Sequence, residues 1–139
     1  MGYRFDGSSI PENRSHRGTW GVLRDYRQRR PGDRLALKWE FPGGKLEPGE
    51  TPQQALEREL REELAIETCT GRIFDVHHDT ASGREILVLF FRSELLSGEP
   101  QTLECNAIAW ADPANLTQYD LAPADLKVAR LLAEECPQP

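Results

Sequence analysis

Cysteine is scarce in this sequence. Its three residues, Cys69, Cys105 and Cys136, are odd in number and widely spaced, with no C-x-x-C pair. Neither a disulfide scaffold nor a zinc knuckle is indicated, and a reducing, cytoplasmic compartment fits best. Long apolar runs are missing too, and none approaches the roughly 18 residues a membrane span needs. The opening MGYRFDGSSIPENRSHRG has no apolar h-region and does not read as a secretory signal. Asp6 stands where a myristoylation motif wants Ser or Thr. Positive charge is in deficit, 17 Lys and Arg against 23 Asp and Glu, for a net charge of −6. That balance gives no positive field for stable nucleic-acid binding. It also repels an anionic substrate unless metal ions stand between the two. There is no internal repeat and no low-complexity tract.

What is present suits one compact domain. The 139 residues are 38% hydrophobic and 29% charged, which is a globular composition. Residues 1–18 are polar and read as a loose arm, with a short strand at 19–23. A basic loop over 24–34 leads to a strand within LALKWEF (35–41) that ends at PGG. Residues 52–66 read as the first helix. RIFDVHH (72–78) and REILVLFFRSEL (84–95) are β-rich runs joined by DTASG, a hairpin signal. NAIAW (106–110) is a further strand, DPANLTQYDLAP a loop, and 123–135 has helical spacing. The pattern is β-rich with one central and one C-terminal helix, hence α+β. The division is an atypical N-terminal arm over 1–27, a domain over 28–135 and a tail over 136–139.

The helix over 52–66 carries the chemistry. Thr51 is a good N-cap, Pro52 suits the first helical position and Gln54 completes a capping box. At about 100° per residue, Leu56, Leu60 and Leu64 fall within about 80° and form a buried stripe. Glu59, Glu62 and Glu63 occupy an adjoining sector about 100° wide, so the carboxylates border the core. Like charges at i,i+4 destabilise a helix. A solvated face with Arg58 and Arg61 as ion-pair partners is one account. The preceding PGGKLEPGET favours another, since this glycine-rich loop delivers a further carboxylate, Glu50. Clustered carboxylates are oxygen ligands for a hard divalent cation, which can neutralise a polyphosphate and activate water.

These residues resemble the Nudix box, G-x5-E-x7-R-E-U-x-E-E-x-G-U, where U is a bulky aliphatic. Gly44, Glu50, Arg58, Glu59, Leu60, Glu62, Glu63 and Ile66 match it, and Ala65 stands where the family has Gly. The similarity runs from about Gln28 to about Leu132. It is closest to the MutT branch of nucleoside triphosphate pyrophosphohydrolases, including CTP pyrophosphohydrolases, through QRRPG, WEFPGGKLEPGET, SGREI, the Glu104 to Trp110 spacing and YDLAPAD. The resemblance implies a Nudix fold: an α/β/α sandwich around a mixed sheet, with a catalytic loop-helix and a C-terminal helix. It implies that Glu59, Glu62 and Glu63, with the Gly43 carbonyl, hold Mg²⁺ or Mn²⁺. Arg58 would orient the carboxylates, Glu50 would sit at or beside the metal, and Lys45 would contact phosphate or the leaving group.

The resemblance also aligns Glu104 with a loop glutamate that joins the metal cluster and can act as general base. Its other reading is a plain surface carboxylate. Arg29, Arg84 and Asp125 match positions that face the nucleotide. Arg84 also reads as a hairpin surface residue, and Asp125 as an early-helix acid favoured by the helix dipole. Trp39 and Phe41 suit either a base pocket or the core. His77 and His78 alternate faces on a strand, with no zinc spacing. Residue 65 is expected either to extend the helix or to carry local strain. Residues 1–27 lack the alternating apolar strand with which MutT-like enzymes begin. The implied activity is metal-dependent hydrolysis of a (deoxy)nucleoside triphosphate to monophosphate and pyrophosphate, of CTP/dCTP or 8-oxo-dGTP type. It suits nucleotide-pool cleansing and DNA repair by a soluble monomer or homodimer. Other Nudix specificities, such as ADP-ribose or dinucleoside polyphosphates, and a non-catalytic nucleotide-binding module are the alternatives.

Overall fold

The structure, a computed structural model, describes residues 2–5, 21–25, 38–80, 85–105 and 107–135. Along the chain these form β1 (Gly2–Phe5), β2 (Gly21–Asp25), β3 (Trp39–Glu40), α1 (Pro52–Leu64), β4 (Glu67–Asp79), β5 (Ile86–Ser97), β6 (Ala107–Ala111), a 3-10 turn (Pro113–Gln118) and α2 (Pro123–Glu135). Two three-stranded sheets result. One is mixed, in the order β1-β5-β4, with β1 parallel and β4 antiparallel to β5. The other is antiparallel, in the order β3-β2-β6.

Strand β5 shows how the layers are held. Successive strand side chains point to opposite faces. Val88 and Phe90 pack on one face with Phe41, Leu116, Val128, Ala129 and Leu132, the α2 side. Phe91 packs on the other face with Ala55, Leu56, Leu60, Leu64 and Ile66, the α1 side. The two helices therefore cover opposite faces of this sheet, which is the expected α/β/α sandwich. The leucine stripe of α1 is fully buried, and each such side chain contributes roughly 1.5–3 kcal/mol.

Helix α1 begins as its sequence dictates. Thr51 Oγ1 accepts from the Gln54 backbone N–H at 3.2 Å, and Gln54 Oε1 accepts from the Thr51 N–H at 3.0 Å. It ends at Leu64, because Ala65 takes the left-handed conformation, φ 57° and ψ 36°, and donates its N–H to Arg61 O at 3.0 Å. Of the two outcomes open at residue 65, the chain adopts local strain rather than an extended helix.

Several boundaries differ from the sequence reading. Gly2–Phe5 is not a loose arm but a strand paired with Val88–Phe91. Four residues are too few to display a period, and the partner strand lies over 80 positions away. Arg24 and Asp25, expected in a basic loop, close the central strand β2, opposite Glu40 and Trp39. Strand β4 starts at Glu67 rather than 72, and register shifts between Thr70 and Asp75 break its alternation. The loop after β6 contains the 3-10 turn, capped by Asp112 Oδ1 accepting from the Ala114 N–H at 2.9 Å. Among the described residues no helix is long and apolar enough to cross a membrane.

Candidate active site

The loop between β3 and α1 and the acidic face of α1 meet at Arg58. Glu47-Pro48-Gly49-Glu50 is a tight turn closed by the Glu50 N–H on Glu47 O at 3.2 Å. Proline at its second position and glycine at its third, with φ 85°, are the residues a type II turn requires. The turn brings Glu50 back onto the helix. Arg58 Nε donates to Glu50 Oε1 at 2.5 Å and Nη2 to Glu50 Oε2 at 3.1 Å, a bidentate pair. Nη1 donates to Glu59 at 3.0 Å and to Glu62 at 3.2 Å. Nη2 also donates to the Lys45 carbonyl at 2.9 Å. One guanidinium thus ties three carboxylates and the loop backbone together.

These contacts shift two groups of the hub, Glu50 and Arg58. The Arg58 hydrogen bond, and then the Glu47 N–H donated to Glu50 Oε2, hold the Glu50 carboxyl below the usual carboxylate range. Arg58 is pushed further up, chiefly by its hydrogen bond to Glu50 and then by Glu59, with burial opposing. Side-chain exposure falls from 53% at Glu62 to 16% at Glu59. Glu63, nearest the leucine stripe, is buried at 3%. Glu63 Oε2 accepts the Gly43 N–H at 3.3 Å.

Among the described residues no three His, Cys, Asp or Glu side chains converge tightly enough to hold a metal ion as they stand. Glu59 and Glu62 are instead turned onto Arg58, and Glu63 onto Gly43. The donors nevertheless fit a hard divalent cation in kind, since Glu59, Glu62, Glu63 and the Gly43 carbonyl offer oxygen alone. Gly44 adds a spatial observation. A Cβ on it would lie 2.1–2.5 Å from the Glu59 carboxyl atoms. The Glu59 carboxylate is lodged against the loop backbone, in the space a side chain at 44 would fill.

The other expected site residues lie on separate elements or outside the described residues. Glu104 lies exposed on the loop between β5 and β6 and joins no group of three acids. Lys45 is exposed, and its carbonyl is the atom bound to Arg58. Asp125 is buried at 1% exposure, and its Oδ1 accepts the Phe41 N–H at 2.9 Å. Phe41 is itself fully buried, edge-on to Phe90 with ring centroids 6.3 Å apart, so its ring is core and offers no face for a base to stack on. Arg29 and Arg84 lie outside the described residues. His78 is exposed, its Nε2 3.7 Å from Glu85.

Sequence reasoning overlooked Glu47, whose carboxylate lies 3.6 Å from Arg58 Nε and whose N–H steadies Glu50. The Pro-Gly that follows it is the signal that would have found it. It also matched Gly44 to a pattern without seeing its purpose, which is clearance for Glu59.

The NUDIX domain family matches residues 15–132, most of the chain. The chain belongs to the NUDIX domain family. Members of the Nudix family generally depend on a divalent metal. The chain is 46% identical over 88 residues to the CTP pyrophosphohydrolase of Escherichia coli (strain K12), covering 63% of this chain and 65% of that protein. It is 39% identical over 111 residues to the 8-oxo-dGTP diphosphatase of the same organism, covering 76% of this chain and 86% of that protein. The chain thus spans about 65% of the length of the first of these relatives. The solution structure of the E. coli ORF135 protein superposes with a TM-score of 0.68 at 30% identity, over 99% of this chain and 93% of that one. The MutT protein from Methanosarcina mazei Go1 gives 0.73 at 18% identity, over 96% and 92%, which speaks for the Nudix fold alone.

Proposed function

We propose that this Nudix chain hydrolyses a (deoxy)nucleoside triphosphate to the monophosphate and pyrophosphate, with Mg²⁺ as its metal and Mn²⁺ able to substitute. The observation that carries the reading is the Arg58 hub, which holds Glu50, Glu59 and Glu62 on one wall beside the Gly43-Gly44 loop. A divalent ion bound at that wall supplies charge neutralisation of the phosphates and activation of water. Arg58 keeps the carboxylates oriented. Glu63 fixes the loop through Gly43, which pre-orders the wall before substrate arrives. Lys45, exposed beside the loop, meets the phosphate chain, and Glu104 serves as an additional acid or base from the facing loop. Asp125, Arg29 and Arg84 are the candidates for base contacts. A carboxylate accepts from the exocyclic amine of cytosine, and the 46% identical relative is named for CTP, so CTP or dCTP is the first substrate to test, with 8-oxo-dGTP second. The reaction takes place in a reducing, cytoplasmic setting.

The test is pyrophosphate release from CTP, dCTP, 8-oxo-dGTP and ADP-ribose with Mg²⁺, compared as kcat/KM. Release should require the metal, and Glu62→Gln should lower it by roughly 10²-fold or more, since a lost carboxylate ligand forfeits several kcal/mol of charge stabilisation. Unchanged turnover in Glu62→Gln would refute the assignment of the wall.

A further inference from the structure

The loop that bears Glu104 is bolted to the far end of α1. Leu64 O accepts the Gln101 N–H at 2.9 Å, and Gln101 O accepts the Leu103 N–H at 3.0 Å. Gly98 has φ 96°, a region closed to most side chains, and a Cβ there would sit 2.8 Å from Ala65 O and 3.2 Å from Ile66 Cα. On the other side of Glu104, Cys105 packs into the α1-side core with Ile108 and Trp110. Glu104 is therefore held between two anchors, and the first bears on the turn by which the glutamate-bearing helix ends. At that turn the family's glycine is replaced by left-handed Ala65, and a glycine stands on the opposing loop.

We propose that Gly98 and the Gln101 amide are positioning residues, which set where Glu104 stands relative to Glu59, Glu62 and Glu63. Gly98 admits the Ala65 turn at close approach, and the Gln101 N–H fixes the loop's height on the helix end. The proposal rests on the hydrolytic reading given above for Glu104 and the α1 glutamates.

Gly98→Ala is expected to push the loop off α1. A displacement near 1 Å costs about 10²-fold in rate, so kcat should fall to that extent with KM little changed. Gln101→Pro removes the donor and turns a ring carbon toward Leu64 O, so it should part the same junction and produce the same split, which keeps the test available if Gly98→Ala folds poorly. Glu104→Gln supplies the decisive arm. If Gly98 acts through Glu104, the double variant is no slower than Glu104→Gln alone; multiplied effects would overturn the proposal. Amide resonances of residues 102–105 in the metal-free full chain give a readout independent of turnover. They should shift in Gly98→Ala and in Gln101→Pro while those of α2 stay in place, and unmoved resonances would overturn the proposal. Should the unaltered chain release no pyrophosphate, the hydrolytic reading fails, and the resonance arm alone decides whether the junction positions the loop.

Discussion

Ala65→Gly should make this protein more stable, against the usual direction for glycine. Left-handed backbone costs an L-residue roughly 1–2 kcal/mol because Cβ crowds the neighbouring carbonyl, and Ala65 adopts it with φ 57°. Glycine removes that cost. It also widens the unfolded ensemble, which takes back about 0.4–1 kcal/mol. The Ala65 methyl is exposed, so its loss sacrifices no core packing. The balance is a gain of about 0.5–1 kcal/mol. For a domain of this size that is a rise of roughly 2–4 °C in Tm. Urea unfolding followed by circular dichroism should show a higher midpoint at unchanged slope. Ala65→Val should move the midpoint the other way, because a β-branched residue is a genuine outlier at positive φ. A lower midpoint for Ala65→Gly would mean that the turn is unstrained, and the argument from φ would be wrong.

Three further changes test separate parts of the molecule. Gly44→Ala should leave the melting midpoint nearly intact, since the clash is with the end of a flexible side chain; by driving Glu59 off Arg58 it should lower pyrophosphate release by about 10–100-fold. Because Arg58 holds the Glu50 carboxyl low, the folded chain binds fewer protons there than the unfolded one. That stabilisation is complete above the unfolded value of about 4.3 and fades as pH falls through the folded value, so Glu50→Gln should flatten the acid limb of urea midpoints measured against pH. Phe90→Ala empties a fully buried site edge-on to Phe41 and should cost about 3–5 kcal/mol in the same unfolding assay.

The part of the site legible in the sequence is the part written locally. Thr51, Pro52 and Gln54 announce the start of α1, and the spacing of Leu56, Leu60 and Leu64 fixes which face is buried. From those alone it follows that Glu63 lies nearest the core and Glu62 furthest from it, and the exposures run in that order. Fold class was legible for a similar reason, since β5 carries an apolar run long enough to be covered on both faces. What could not be read depends on distant partners. Gly2–Phe5 becomes a strand because β5 offers it an edge. β4 was cut short because register shifts break its period. Phe41 suited either a pocket wall or the core, and the Phe90 ring that packs edge-on to it lies 49 positions on.

Two of the buried acids explain why a glycine-rich segment can be held as a fixed wall. Asp125, at the start of α2, accepts the Phe41 N–H, and Glu63, near the end of α1, accepts the Gly43 N–H. The stretch Phe41-Pro42-Gly43 is thus fastened to both helices across the sandwich. A carboxylate this buried is costly unless it is hydrogen-bonded, and the Phe41 and Gly43 N–H groups each supply such a bond while tying the loop to a helix. Glycine then ceases to mean flexibility here: Gly44 supplies room for Glu59, and the tethers supply rigidity. It also follows that Asp125 has a duty to the loop besides any contact with a base. Replacing it should loosen the loop whichever nucleotide is offered, so only the part of its effect that differs between bases speaks to recognition.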